Sequence, residues 1–141
     1  MNRELKHISG MDTGPWVALI DRSETMHDEC VDWLRKFEGE LFSSEAVLTE
    51  ALYLLSFSSA AQLAALDFVL RGAITLVPSS VESLRRVKRL MQKYADLPMD
   101  FADATIVCLA QDLGTRNVAT LDKKHFGIYR LLRNRAFRIF P

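Results

Sequence analysis

Cysteine is scarce in this chain: its 141 residues hold two, Cys30 and Cys108. They stand far apart in helix-like apolar surroundings, with no CxxC and no Cys/His pair at metal-ligand spacing. That excludes a disulfide scaffold and a zinc knuckle, and reads as two reduced thiols at or near a core, as in a cytoplasmic protein. Charge of one sign is not in excess either. Lys plus Arg number 18 and Asp plus Glu 18, so a chain-wide basic surface is excluded. Any nucleic-acid site has to be a local patch or to act through a metal. No apolar run can span a bilayer: residues 46–70, the most apolar window, are broken by Glu50, Gln62 and Asp67. The opening MNRELKHISG lacks the apolar stretch of a signal peptide. Four prolines and six glycines are scattered, leaving no linker, repeat or low-complexity tract. The expectation is one soluble, cytoplasmic domain over residues 8–141 behind a frayed lead-in of residues 1–7, long enough for one continuous core.

What is present alternates between strand and helix signals. HISGM (7–11) predicts a short strand. DTGPWVALIDR predicts a helix capped by Thr13 or Gly14, with Pro15 in its first turn. In SETMHDECVDWLRKFEG, Met26, Cys30, Val31, Trp33, Leu34 and Phe37 recur at helical spacing; Ser23 and Met26 open this helix and Gly39 closes it. ELFSS (40–44) predicts a strand running into a serine cap. SSEAVLTEALYLLSF and SAAQLAALDFVLRG predict two helices, the second stopped by Gly72. AITLVP (73–78) predicts a strand of the buried kind. SSVESLRRVKRLMQKYAD has a serine cap and a basic outer face with Arg85, Arg86, Lys88 and Arg89, the pattern of a solvated surface. Another helix follows Pro98 and ends at Gly114, and RNVATLD (116–122) and RAFRIFP (135–141) predict the last strands. Strands alternating with helices specify the α/β class: a mostly parallel sheet with helices on both faces.

Four carboxylates fit that frame poorly as ornament. LPMDFADATIVCLA (97–110), read as a helix at about 100° per residue, aligns Met99, Ile106, Val107 and Ala110 in one stripe, with Asp103 at its centre and Asp100 at its edge. An ionised carboxylate in an apolar layer needs a partner. Glu50 repeats the pattern among Ala46, Val47, Tyr53 and Leu54. Asp12 ends the first strand and Asp122 ends NVATL, and in open α/β sheets the working crevice lies beyond the carboxyl ends of the strands. Each acid has an ordinary explanation alone. Asp100 and Asp103 suit a helix N-terminus, Asp12 can form a cap or Asx turn, Asp122 can start the turn DKKHF, and Glu50 can pair with an arginine. All four at matching ends of one sheet point instead to a shared cation. Gathered carboxylates raise one another's proton affinity. Mg²⁺ or Mn²⁺, hard ions that take oxygen ligands, remove the repulsion, activate water and clamp phosphate.

MDTGPWVALID, TEALYLL, MDFADATIVCLAQDLG and VATLDKKHF, in this order, resemble the PIN-domain family, and in particular the VapC-type toxins of toxin–antitoxin pairs. The resemblance runs over nearly the whole chain, from about residue 8 to residue 141. It implies a three-layer α/β/α sandwich with four or five parallel strands, and a Mg²⁺- or Mn²⁺-dependent endoribonuclease. The family's acidic positions fall on Asp12, Glu50, Asp103 and Asp122, which makes these the implied catalytic and metal-binding residues. Asp100 is an accessory acid, and Thr13 and Thr120 match hydroxyl positions that brace the site. The implied partners are an RNA substrate, a small antitoxin protein and a second copy of the chain, with no membrane.

On that reading Asp12 and Asp103 are the main direct ligands, while Glu50 and Asp122 act through water or help hold a second ion. Lys123, Lys124, His125, Arg130, Arg133 and Arg135 are candidates for phosphate contacts, with a solvated basic face the equal alternative. Trp16 and Phe126 are candidates for stacking on a splayed base, with core packing the alternative; His27 is assigned no chemistry. Two rival phosphoryl-transfer folds are disfavoured by single residues. A receiver domain wants paired acids after its first strand, where this chain has only Asp12, and a haloacid-dehalogenase-like phosphatase wants Asp-x-Asp, where residue 14 is Gly. A PIN-like module that binds RNA or protein without cutting it, and a housekeeping RNA-processing nuclease, are the remaining alternatives.

Overall fold

The computed structural model describes residues 7–141; residues 1–6 of the expected lead-in lie outside the described residues. Five strands form one parallel sheet: β1 (Ile8–Met11), β2 (Glu40–Ser43), β3 (Ile74–Leu76), β4 (Asn117–Ala119) and β7 (Arg138–Phe140), in the order β3-β2-β1-β4-β7. The registers set Gly10 beside Phe42 on one side and Val118 on the other, so β1 is the centre of the sheet. Between β4 and β7, β5 (Arg130–Leu131) and β6 (Arg135–Ala136) make a separate antiparallel hairpin. Seven helices flank the sheet: α1 (Thr13–Ile20), α2 (His27–Lys36), α3 (Glu45–Leu54), α4 (Ser59–Leu70), α5 (Val81–Lys93), α6 (Phe101–Leu113) and α7 (Lys123–Phe126).

Local chemistry explains most of these boundaries. Ser44, Ser58 and Ser80 each accept a backbone N–H in the first turn of α3, α4 and α5, satisfying donors the helix leaves open. α6 ends at Gly114, whose φ of 67° is a left-handed conformation that costs glycine little. α6 is apolar nearly all round: Ala102 and every residue from Ala104 to Ala110 is buried, and it packs on β1, α3 and α5. That burial, rather than one amphipathic stripe, sets its place in the core, and Asp103 occupies the single half-buried position within this run. Cys30 and Cys108 are free and buried, and Trp16 and Phe126 are fully buried.

Several expectations need correction. The cap of α1 is Asp12, not Thr13 or Gly14, yet its carboxylate caps nothing because the site holds it elsewhere. α2 starts at His27 with Met26 as its N-cap, as expected, but Ser23 lies four residues before it and takes no part in the cap. The Ser23 amide and hydroxyl both donate to Asp21 instead, and His27 Nδ1–H donates to the Ala18 carbonyl at 2.6 Å, tying α2 to α1. β3 is an edge strand with only Ile74 buried, because among the described residues no strand covers its far side. α6 begins at Phe101, so Met99 is buried just outside the helix and Asp100 is its N-cap. β4 stops at Ala119, leaving Asp122 three residues beyond it as the cap of α7. The expected last strand is broken at Phe137, which is buried between the hairpin strand β6 and the sheet strand β7.

Candidate functional site

The sheet order places the site. From β1 the chain first builds outward to β2 and β3, then returns across the sheet to β4 and β7. The crevice of such a sheet opens at the carboxyl ends of the strands where the direction reverses, here between β1 and β4. Asp12 directly follows β1. Its N–H extends the ladder to the Ala119 carbonyl at 2.9 Å, and its side chain is buried. Thr120, fully buried after β4, donates its hydroxyl to Asp12 Oδ2 at 2.7 Å and accepts the Asp122 amide at 3.0 Å. One threonine thus couples the segments after both central strands.

Two further links complete the arrangement. Thr13 Oγ1 donates to Glu50 Oε1 at 2.6 Å, bringing the acid of α3 to the start of α1. At the start of α6 the Asp103 amide donates to Asp100 Oδ1 at 2.8 Å, while the Tyr129 hydroxyl donates to Asp103 Oδ2 at 3.1 Å. Asp122 is held within its own turn: it accepts the His125 amide at 3.1 Å and His125 Nδ1–H at 2.9 Å. Tyr129 is itself immobilised, fully buried with edge-on contacts to Tyr94 and Phe126 at centroid distances of 5.1 Å each.

The electrostatics of the group are those of uncompensated negative charge. Burial raises the Asp12 carboxyl to about 6, against hydrogen bonds from Thr120 and the Thr13 amide that pull it down, with Glu50 and Asp100 adding to the rise. Burial raises Asp103 to about 7, reinforced by Asp100 and Asp12 and opposed by the Tyr129 bond. The Tyr129 phenol is raised in turn, by burial first and then by the Asp103 charge. No lysine or arginine among the described residues ion-pairs with Asp12, Glu50, Asp103 or Asp122; the only basic side chain paired with any of them is His125. Among the described residues no three acid, histidine or cysteine side chains already converge tightly enough to cage an ion. Asp12, Glu50 and Asp103 each accept from one hydroxyl, of Thr120, Thr13 and Tyr129 in turn. The donor chemistry fits a hard divalent cation: carboxylates and hydroxyls, no sulfur, and charge that burial makes costly to leave unneutralised.

The expected residues divide into two groups. Asp12, Glu50, Asp103 and Asp122, with Thr13, Asp100 and Thr120, lie along the linked segments just described. Asp100 is an exposed cap at the rim. Among the expected phosphate contacts, Lys123 and Lys124 are exposed beside Asp122. His125 is drawn to Asp122. Arg130 is committed: its Nη1 donates to the carbonyls of Gly127, Ile128 and Tyr129 at 2.8–3.0 Å, closing the turn after α7. Arg133 and Arg135 lie on the hairpin, away from the acids. Trp16 and Phe126 are core residues and cannot stack on a base. The Trp16 indole N–H has no hydrogen-bond partner among the described residues, a feature the packing does not explain.

Sequence reasoning missed Tyr129. It stands 26 residues from Asp103, and an aromatic in IYRLL reads as one more core residue. The His125–Asp122 contact had a local signal, a histidine three residues after an acid at a helix start.

Comparison with known proteins gives one family. A family model described as the PIN domain matches residues 11–131. Ribonuclease VapC26 of Mycobacterium tuberculosis is 31% identical over 136 residues, covering 93% of this chain and 98% of that protein. Among solved structures, Mycobacterium tuberculosis VapC20, a sarcin–ricin loop cleaving toxin, superposes with a TM-score of 0.73 at 20% identity, over 79% of this chain and 86% of that one. VapBC2 from Rickettsia felis, bound to a DNA fragment from its promoter, gives a TM-score of 0.66 at 18% identity, over 95% and 99%. The parallel five-stranded architecture is shared with both.

Proposed function

The chain belongs to the PIN-domain family, and from that premise we propose that it is a divalent-metal-dependent endoribonuclease, the toxin of a toxin–antitoxin pair. One observation carries the reading. Asp12 and Asp103 stand at the carboxyl end of a parallel sheet, both raised well above the ordinary carboxylate range, with neighbouring carboxylates and no neutralising lysine or arginine among the described residues. Asp12 and Asp103 would be the main residues to hold Mg²⁺ or Mn²⁺, with Glu50 and Asp122 assisting through water or at a second ion. When bound, the ion supplies charge neutralisation and Lewis-acid activation of water at the scissile phosphate.

The chain's own residues make that chemistry possible by fixing where the charges sit. Thr120 and the Thr13 amide hold the Asp12 carboxylate in one rotamer. Tyr129 holds Asp103 from a packed aromatic cluster, and the Thr13 hydroxyl holds Glu50. Partners of a metal-binding carboxylate that lock its orientation pre-organise the site before the ion arrives. The ribonuclease name of the 31%-identical relative supports RNA as substrate. Exposed Tyr53, Leu54, Phe57, Leu63 and Leu70 on and between α3 and α4 offer an apolar surface of the kind a protein partner covers, in keeping with an antitoxin. The test is cleavage of structured RNA with Mn²⁺ or Mg²⁺, against EDTA and against Asp103→Asn. Cleavage by wild type alone, and only with metal, is the expected result. Cleavage at the wild-type rate by Asp103→Asn refutes the ligand assignment.

A further inference from the structure

We propose that Arg116, Arg133 and Arg135 form a second site, at the end of the molecule away from the acids, that grips the phosphodiester backbone of the RNA substrate; the inference rests on the ribonuclease reading above. The chain as a whole is neutral, but its charge is not evenly spread. Residues 116–141 carry seven lysines and arginines and one acidic side chain, Asp122. The cations begin beside the acids with Lys123 and Lys124, then run with β5 to the opposite end of α6. There Arg116, Arg133 and Arg135 line a cavity of about 230 Å³ together with Gln111, Gly114 and Thr115. No carboxylate contributes to that lining. Among the described residues none of the three arginines makes an ion pair, whereas Arg86 on α5 is bound by Asp112 at 2.7 and 3.0 Å.

Two of the arginines are placed rather than loose. Arg116 donates Nε–H to the Ala136 carbonyl at 3.0 Å, which fixes its guanidinium and leaves the terminal N–H groups for a ligand. Arg133 has φ 62° and ψ 27°, and Asn134 φ 59°. The hairpin loop is three residues long, Leu132–Asn134, and its last two are both left-handed, a conformation that favours asparagine and glycine. Asn134 suits it; Arg133 does not, because a long side chain gains nothing from that backbone. An arginine held there against the preference of its own backbone turns the guanidinium into a local requirement, and strain of this kind gathers at functional sites.

RNA fits the arrangement better than an acidic protein segment. Planar guanidinium groups bond phosphate in pairs and stack on bases, and Leu132, 66% exposed beside them, offers an apolar surface to a base. Asp103 and Gly114 are eleven residues apart along α6, about 16 Å at the helical rise. That straight-line span is on the order of five nucleotides of a stacked strand; α6 is buried, so an RNA that passes over the surface and reaches both sites is longer than that.

The test is steady-state cleavage, with Mn²⁺, of one RNA that wild type cuts, comparing wild type with Arg133→Asn and with Arg133→Asn/Arg135→Gln. Thermal stability of each protein is measured alongside. For the double variant the KM rises about tenfold with kcat unchanged, and the slope of log(kcat/KM) against log salt falls by about two. The Tm of Arg133→Asn is no lower than that of wild type, since asparagine suits the turn; a merely structural arginine would instead lower it. Unchanged KM and salt slope, with wild type cutting RNA, overturn this inference and leave the nuclease reading standing. Wild type that cuts no RNA with metal present overturns both. A polyglutamate peptide that raises the wild-type KM as effectively as an uncleaved RNA duplex, and loses that effect with the double variant, assigns the site to acidic protein and overturns the RNA assignment.

Discussion

Replacing Asp12 by Asn makes the metal-free protein more stable while removing its chemistry. The Asp12 carboxyl is raised from 3.8 to about 6 by the fold. A raised folded value means the native state favours the protonated acid, so ionised Asp12 opposes folding. At neutral pH and above, that penalty is the shift multiplied by about 1.4 kcal/mol per unit, or ~3 kcal/mol. Asparagine has nearly the shape of the protonated acid and still presents an acceptor toward Thr120, so Asp12→Asn recovers most of it. For a domain of this size 2–3 kcal/mol corresponds to a Tm rise of about 6–10 °C.

The pH dependence carries the diagnosis. Below about pH 4 both the folded and unfolded wild type hold the proton, and the two proteins melt together apart from the amide substitution itself. Between about pH 4 and 6 the unfolded chain loses the proton first, wild-type stability falls, and the gap opens. Above about pH 6 the gap is constant. Thermal melts by circular dichroism in EDTA from pH 4 to pH 8 measure this directly. A variant that is less stable at pH 8, or a gap that does not change with pH, refutes the claim that burial and neighbouring carboxylates strain this acid.

Other outcomes follow from the same geometry. Saturating Mn²⁺ at pH 7.5 stabilises wild type by about 2.7 kcal/mol at a hundred times the Kd, which shows as a higher Tm, and leaves the Tm of Asp12→Asn and Asp103→Asn unmoved; differential scanning calorimetry reads it. Tyr129→Phe keeps the buried ring but removes the hydroxyl that holds Asp103 Oδ2, so Mn²⁺ affinity by titration calorimetry falls about 10–100-fold with the fold intact. Thr120→Val strips Asp12 of its hydroxyl donor, raises that carboxyl further and lowers apo stability at pH 8 by about 1–2 kcal/mol. Arg130→Ala, which loses the clasp on three carbonyls, lowers the Tm but leaves the salt dependence of RNA cleavage unchanged.

The α/β alternation was legible because serines mark three helix starts and short apolar runs mark the strands. The four acids stood out because carboxylates on apolar stretches and at strand ends break the binary pattern. Legibility failed where a tertiary partner overrides a local signal. Thr13 and Gly14 looked like caps, but Asp12 takes that position while its carboxylate is bound to Thr120, 108 residues away. RAFRIFP reads as one strand, yet the backbone breaks at buried Phe137 so that Arg135 and Ala136 can pair with β5 and the rest with β4. The stripe around Asp103 is only part of a wider pattern, since α6 is buried on nearly every side and the acid, in its first turn, is the one half-buried position in the run from Ala102 to Ala110. Tyr129 was beyond reach because only the fold brings IYRLL to the start of α6.

The central claim is that these acids exist to bind a cation that cuts RNA. It is tested most directly by incubating a mixed pool of structured RNAs with the purified protein and Mn²⁺ or Mg²⁺, beside EDTA and Asp103→Asn controls. Fragments that need the metal and disappear with Asp103→Asn are the predicted result. RNA left intact by a protein that also fails to bind Mn²⁺ in calorimetry would contradict the account, and Asp12 and Asp103 would then need another reason for being where they are.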